Sequence, residues 1–325
     1  MVVNDGSGWP GIGREDRTER GPVPSGIETG ATPDSEEYFL LHDAAEHGSP
    51  EAVAELARRV GDVDALDDAD EEYPGCTALW TAVFANRPDN ARVLVAAGAD
   101  PWRPMMNDWS PGRLSLASPT PDLFTIPPGE TGLSPAEAAA VTEARRSIAA
   151  LGDLYYFGLG MVCVAGITAA EAARRLEAVP ADDEDAEAIM EDPRSDYDDS
   201  LTVVGATDVP GGCIVSQPWG YTPSTPGIAE RLSAGTVCYG MYNNPKGGNH
   251  GTFTRDGVIE EGDTHPGGGG VYPDDSTEEI LATYLYHHHA VAYCCARTGL
   301  RPTDARAIIG PPDMWLRLPE RDWWH

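Results

Sequence analysis

Apolar residues recur along this chain with two different periods. Over residues 41–102 they follow helical spacing: Ala44-Ala45, then Val53 and Leu56, and again Ala82-Val83, then Val93, Leu94 and Val95. From Leu201 onward they gather instead into short β-branched runs separated by Gly and Pro. The first pattern predicts paired helices and the second a sheet. Gly61 and Gly98 stand where the second helix of each pair must stop, since glycine accepts the left-handed conformation of a helix end. Asp62 and Asp100 then suit turns that bond their own backbone.

The helical stretch is one unit written twice. Leu41-His42-Asp43-Ala44-Ala45-Glu46-His47-Gly48 answers to Leu79-Trp80-Thr81-Ala82-Val83-Phe84-Ala85-Asn86, and Asp62 to Asp100, at one constant offset. A constant period over a whole supersecondary unit is the mark of a stacked array. The pattern resembles the ankyrin repeat, with an offset longer than the usual 33 or so residues of that family. The surplus lies in residues 67–73, an enlarged acidic finger containing Asp70, Glu71, Glu72 and Tyr73. Ser110-Pro111-Gly112-Arg113-Leu114 opens a third, degraded copy that Pro119 and Pro121 cut short. The resemblance implies a concave face fed by Glu46, His47, Phe84 and Ala85, with Trp102 and Trp109 at turn positions, where aromatic rings are favoured interface anchors. The same rings could equally pack beneath the finger or against the rest of the chain. Trp80 takes the slot of the usual repeat histidine and is expected in the core.

Three parts are expected: a disordered tail over residues 1–35, repeats with a capping helix over 36–152, and an α+β domain over 153–325. Ser134-Pro135-Ala136-Glu137 starts the capping helix, which ends near Gly152. Beyond it, Met161-Val162-Cys163-Val164-Ala165 reads as a buried strand and Thr168 as the cap of a helix. Strands follow at Leu201-Thr202-Val203-Val204, at 212–216 and at 236–242, and a hairpin turns at Arg255-Asp256-Gly257. One continuous helix is expected over residues 277–297, and a short one near Thr303-Asp304-Ala305. The fold class is therefore α+β in two parts, a helical array followed by a mainly antiparallel sheet. Val164-Ala165-Gly166-Ile167, Trp219-Gly220-Tyr221, Arg231-Leu232-Ser233-Ala234-Gly235-Thr236 and Tyr242-Asn243-Asn244 resemble an actinobacterial family of uncharacterised α+β domains. That likeness implies a fold and no reaction.

Charge narrows the partners. The formal net charge is −31 and Lys246 is the only lysine, so clustered cations for phosphate are missing and direct nucleic-acid binding is disfavoured. Residues 181–200 hold ten carboxylates against Arg194, which reads as a solvated loop or as a lure for a basic protein. No apolar run is long enough to span a membrane, and six scattered cysteines fit a reducing cytosol.

Candidate chemistry is thin. His287, His288 and His289 with Cys294 and Cys295 would lie roughly 10 Å apart along one helix, too far for one zinc ion. Cys213 and Cys238 sit in apolar runs, and His250 and His265 in glycine-rich loops. Gly267-Gly268-Gly269-Gly270 lacks the Lys-Ser/Thr of a phosphate loop. No catalytic residue, metal ligand or cofactor is assigned. The expected function is a cytosolic protein-interaction module, of an immunity or regulatory kind, meeting a basic protein through Glu46, His47, Asp70, Glu71, Glu72, Tyr73, Phe84, Trp102 and Trp109. The alternative is an enzyme or small-ligand-binding α+β domain targeted by the repeats. The oligomeric state is left open.

Overall fold

The computed structural model describes residues 36–67, 75–192, 197–272 and 275–324, and the expected N-terminal tail lies outside them. The fold is mixed α+β, in two compact units. One is helical and takes residues up to Thr142 together with Gly270–Leu285. The other carries the sheet and takes Glu143–Gly269 and Tyr286 onward. A single division after Gly152 therefore does not describe the chain: a segment from the later half is part of the helical unit.

The helical unit starts with α1 (Glu36–His47) and α2 (Pro50–Ala57), followed by α3 (Ala78–Phe84) and α4 (Pro88–Ala96), and by the short α5 (Pro111–Ser115). Each start has a local cause. Ser49 accepts from Ala52 N with Pro50 at the first position, Thr77 accepts from Trp80 N, and Ser110 accepts from Arg113 N. The α1 helix packs on α3, and α2 on α4, with Ala44, Ala45, Ala82 and Leu94 enclosed between them. Asn90 ties the pairs together: its side-chain amide donates to Ala44 O, Ala45 O and Gly48 O at 3.0–3.2 Å. The turns bond their own backbone as expected, Asp64 N to Asp62 Oδ1 and Trp102 N to Asp100 Oδ1. Gly98 is left-handed at φ +110°, whereas α2 already ends at Ala57, so Gly61 stops no helix. The α6 helix (Pro135–Leu151) opens with a reciprocal cap between Ser134 and Glu137 and adds Val141 to this core. The helix Thr277–Leu285 adds Ile280, Leu281 and Tyr284.

The sheet is eight-stranded and antiparallel throughout. Its strands are β1 (Gly160–Ala165), β2 (Val179–Pro180), β3 (Val203–Val209), β4 (Gly212–Gln217), β5 (Val237–Asn244), β6 (Gly248–Arg255), β7 (Val258–Asp263) and β8 (Met314–Arg317), in the order β2-β8-β3-β4-β1-β5-β6-β7. The central β1 is buried on both faces, which explains its unbroken apolar run. Along one face α7 (Ala169–Leu176) and α10 (Pro226–Leu232) pack on Val162, Val164, Val215 and Cys238. Along the other, Cys295 approaches Cys163 and the Ser216 hydroxyl donates to Ala307 O. The β6–β7 turn has both Asp256 and Gly257 at positive φ, the type I′ geometry that the Asp-Gly pair predicts. A two-residue β2 containing Pro180 blunts one edge.

Two expectations fail for local reasons. The acidic run is no plain loop, since it forms α8 (Asp183–Glu191) and α9 (Tyr197–Ser200), with Asp182 accepting from Glu184 N. The single helix over 277–297 is broken into α11 (Thr277–Leu285) and α12 (Ala290–Arg297). His288 stands at φ +65° in the gap, and its N–H donates to Gly267 O at 2.6 Å. Gly267 is required there, because a Cβ would meet the Ala290 backbone at 2.6 Å. The last short helix, α13 (Arg306–Ile309), forms just after Ala305.

Candidate functional site

The residues expected on the concave face part company in the structure. Glu46 and His47 close α1 on the surface, with His47 3.6 Å from Asp43 and 3.5 Å from Glu46. Phe84 is only partly exposed, its ring 6.4 Å from Trp80 and 5.6 Å from Tyr284 of α11. Trp109 is fully enclosed: its indole N–H donates to Thr277 O and the Arg113 guanidinium covers its face at 4.3 Å. The Tyr284 hydroxyl donates to Asn86 Oδ1 beside them. A helix from the chain's own later half thus occupies the side of α3 proposed for a partner, and Trp109 is a core residue. Trp102 is half-buried, its ring laid flat on Gly112, where a Cβ would stand 2.8 Å from it. Asp70, Glu71, Glu72 and Tyr73 lie outside the described residues. Trp80 is buried, as its repeat position predicts.

The sheet unit gathers exposed rings instead. Gly160 at the start of β1 faces Gln217 at the end of β4 and Tyr242 near the end of β5, and Val203 at the start of β3 faces Arg317 at the end of β8. The segments entering or leaving those strands therefore converge at one end of the sheet. Tyr155, Tyr197, Trp219 and Trp324 are exposed there by 65%, 49%, 39% and 56%. The Phe157 and Trp219 rings meet edge-on at 5.3 Å. Tyr221 stands at 72° to Tyr242, 5.9 Å away, and at 39° to Trp324, 5.7 Å away. Trp219 holds φ +61°, a conformation that costs a bulky residue energy and gathers at binding sites.

Against Tyr221 and Trp324 lies a cleft of about 190 Å³, lined also by Thr202, Thr225, Glu320 and Asp322 with their neighbours. The C-terminal segment forms one wall and is firmly pinned. Trp323 is buried, with the guanidinium groups of Arg321 and Arg231 over its ring at 5.1 and 5.8 Å, and its carbonyl accepts from Gly227 N. Nearby cations are committed: Arg317 to Asp199 and the Thr202 hydroxyl, Arg321 to Glu177 at 2.8 Å. Burial pushes the Tyr242 hydroxyl up, reinforced by Tyr197 and Tyr221, so this phenol stays a neutral donor. The sequence named Trp219-Gly220-Tyr221 for a family likeness and did not join it to Trp323-Trp324. Two adjacent tryptophans in a polar, proline-bounded tail were the available signal.

The candidate reactive groups are otherwise placed. All six cysteines are buried, and burial pushes the Cys213 and Cys238 thiols up to about 12, far from nucleophilic thiolates. His250 lies within β6 opposite Tyr242, not in a loop, because the glycines around it pair as strand. His287 is pushed down to about 4, first by burial and then by His288 and His289. Among the described residues no group of three or more His, Cys, Asp or Glu side chains is placed to hold a metal ion, and no helix is long and apolar enough to cross a membrane. No model of a known protein family matches the chain, and no curated protein matches it.

Proposed function

We propose that the protein is a cytosolic protein-interaction module whose partner is basic, with α1–α4 serving as two ankyrin-like repeats. The repeat reading is supported by the packing of α1 on α3 and of α2 on α4 and by the bond from Asp100 N to the Asp64 carboxylate, which joins equivalent turns. The observation that carries the interaction reading is the surface at the end of α1. There Asp43, Glu46 and His47 are accessible, on a chain of net charge −31. A field of that sign speeds encounter with a cationic surface and repels nucleic acid. The contact set is narrower than the sequence suggests, with Glu46, His47 and Trp102 retained, Phe84 and Trp109 committed to the fold, and the finger residues Asp70 to Tyr73 included by their charge. Neutralising a toxin or restraining a basic enzyme fits such a surface.

The test is capture from native cytosol by the wild-type chain and by an Asp43→Asn/Glu46→Gln/Trp102→Ala variant. The expected result is a basic protein held in a salt-sensitive way by the first and lost by the second. Equal retention by both removes the proposed surface. A second reading, a ligand-binding sheet unit, is favoured by one observation, the ring-lined cleft of about 190 Å³. A thermal-shift panel of metabolites tests it, and a flat response from every compound counts against it.

A further inference from the structure

We propose that the cleft at the ring-bearing end of the sheet binds a guanidinium group, presented as an arginine side chain of the basic partner. The inference rests on the basic-partner reading and adds a second contact in a different unit.

Shape comes first. Tyr221 and Trp324 line the cleft with their rings 5.7 Å apart at 39°, and Trp324 leaves more than half its surface open. Ring faces attract cations through their quadrupole, and the planar guanidinium stacks on them better than an ammonium does. The cleft of about 190 Å³ has room for a side-chain head group.

Charge comes second. Glu320 and Asp322 line the cleft and carry negative charge against the single lining cation, Arg321. That cation is already spent, ion-paired with Glu177 and stacked on Trp323. The same unit stacks its own guanidinium groups on rings at Trp323 and at the Tyr239, Phe253 and Tyr293 set. Asp322 also accepts from Trp324 N at 2.9 Å, which fixes a carboxylate beside the ring, and an anion would meet both carboxylates directly.

The probes are N-acetyl-arginine methylamide and its citrulline counterpart, which keeps the shape and removes the charge. Both are titrated into the full chain while the Trp324 indole and Tyr221 ring signals are followed by NMR. The arginine probe should shift both signals and bind about tenfold more tightly than the citrulline probe, about 1.4 kcal/mol. Trp324→Ala should abolish the difference and Glu320→Gln should reduce it severalfold, with the amide spectrum otherwise unchanged. Equal binding of the two probes overturns the proposal in favour of a neutral ligand. Arginine binding that survives Trp324→Ala overturns it in favour of diffuse attraction to an acidic chain. An Asp43→Asn/Glu46→Gln variant should bind the probe like wild type, so failure at the cleft and failure at the end of α1 are read separately.

Discussion

Trp109 and Trp324 carry the same side chain to opposite ends. In the helical unit Trp109 is covered completely, with its N–H bonded to Thr277 O and its face under Arg113. In the sheet unit Trp324 keeps 56% of its surface in solvent beside Tyr221. Both follow turn-rich segments, and from sequence the first looked like the interface anchor. The difference teaches that an aromatic residue in a loop is an anchor only after the rest of the chain has declined to cover it. Exposure that persists in the folded chain is the more informative sign.

The sharpest way to break this contrast is to remove the covered ring. Trp109→Ala empties a core site between α5 and α11 and should cost about 3–5 kcal/mol. Its effect should be seen as lost amide protection in α3 and α11. A cost under about 1 kcal/mol would mean that the α11 helix is loosely held and that the α3 face is open after all.

Acid separates the units next. His287 in the sheet unit titrates at about 4 when folded against 6.5 in a free chain. Its folded value is the lower, so its stabilising effect is complete above about 6.5 and is lost as pH falls toward 4. The full loss is about 3 kcal/mol. In the helical unit burial holds the Asp64 carboxyl above its usual range, so protonation there relieves a cost as pH falls. Protection factors of the β1 and β5 amides, corrected for the intrinsic pH dependence of exchange, should therefore fall between pH 6.5 and 4, with a His287→Asn variant flattening the profile. Unchanged protection factors across that range would show that His287 is not closed off from solvent.

Within the helical unit, Asn90→Ala strips the donors from Ala44 O, Ala45 O and Gly48 O and should cost about 1–3 kcal/mol, measured by urea denaturation. The same residue shows how much was legible. Helix starts at Ser49, Thr77 and Ser110 could be read because a cap acts over three residues. The strands β1, β4 and β5 and the Asp256-Gly257 turn could be read because period and turn chemistry are local too. Asn90 looked like any polar residue on a helix, since its partners lie more than forty positions earlier. Tyr284 meets Asn86 across 198 positions, and an apolar helix face states that it will be covered without stating by what. The β8 strand was missed for the same reason: four residues beginning Met314-Trp315 become a strand only by pairing with β3. The cleft was invisible because its lining joins residues near 202, 221 and 324.

The smallest expected effect bears most directly on function. Trp324→Ala should change stability by less than about 0.5 kcal/mol, because the ring is mostly solvated. The anchoring of the tail belongs to its neighbour: Trp323 is buried under Arg231 and Arg321 and its carbonyl accepts from Gly227 N. If Trp324→Ala instead destabilised the sheet unit as Trp109→Ala does the helical one, the two tryptophans would differ only in degree. The ring at 324 would then be a structural clasp, held against Tyr221 for its own sake. If stability stays level, the ring adds little to the fold beyond its contact with Tyr221, and its open surface is left for the ligand proposed above.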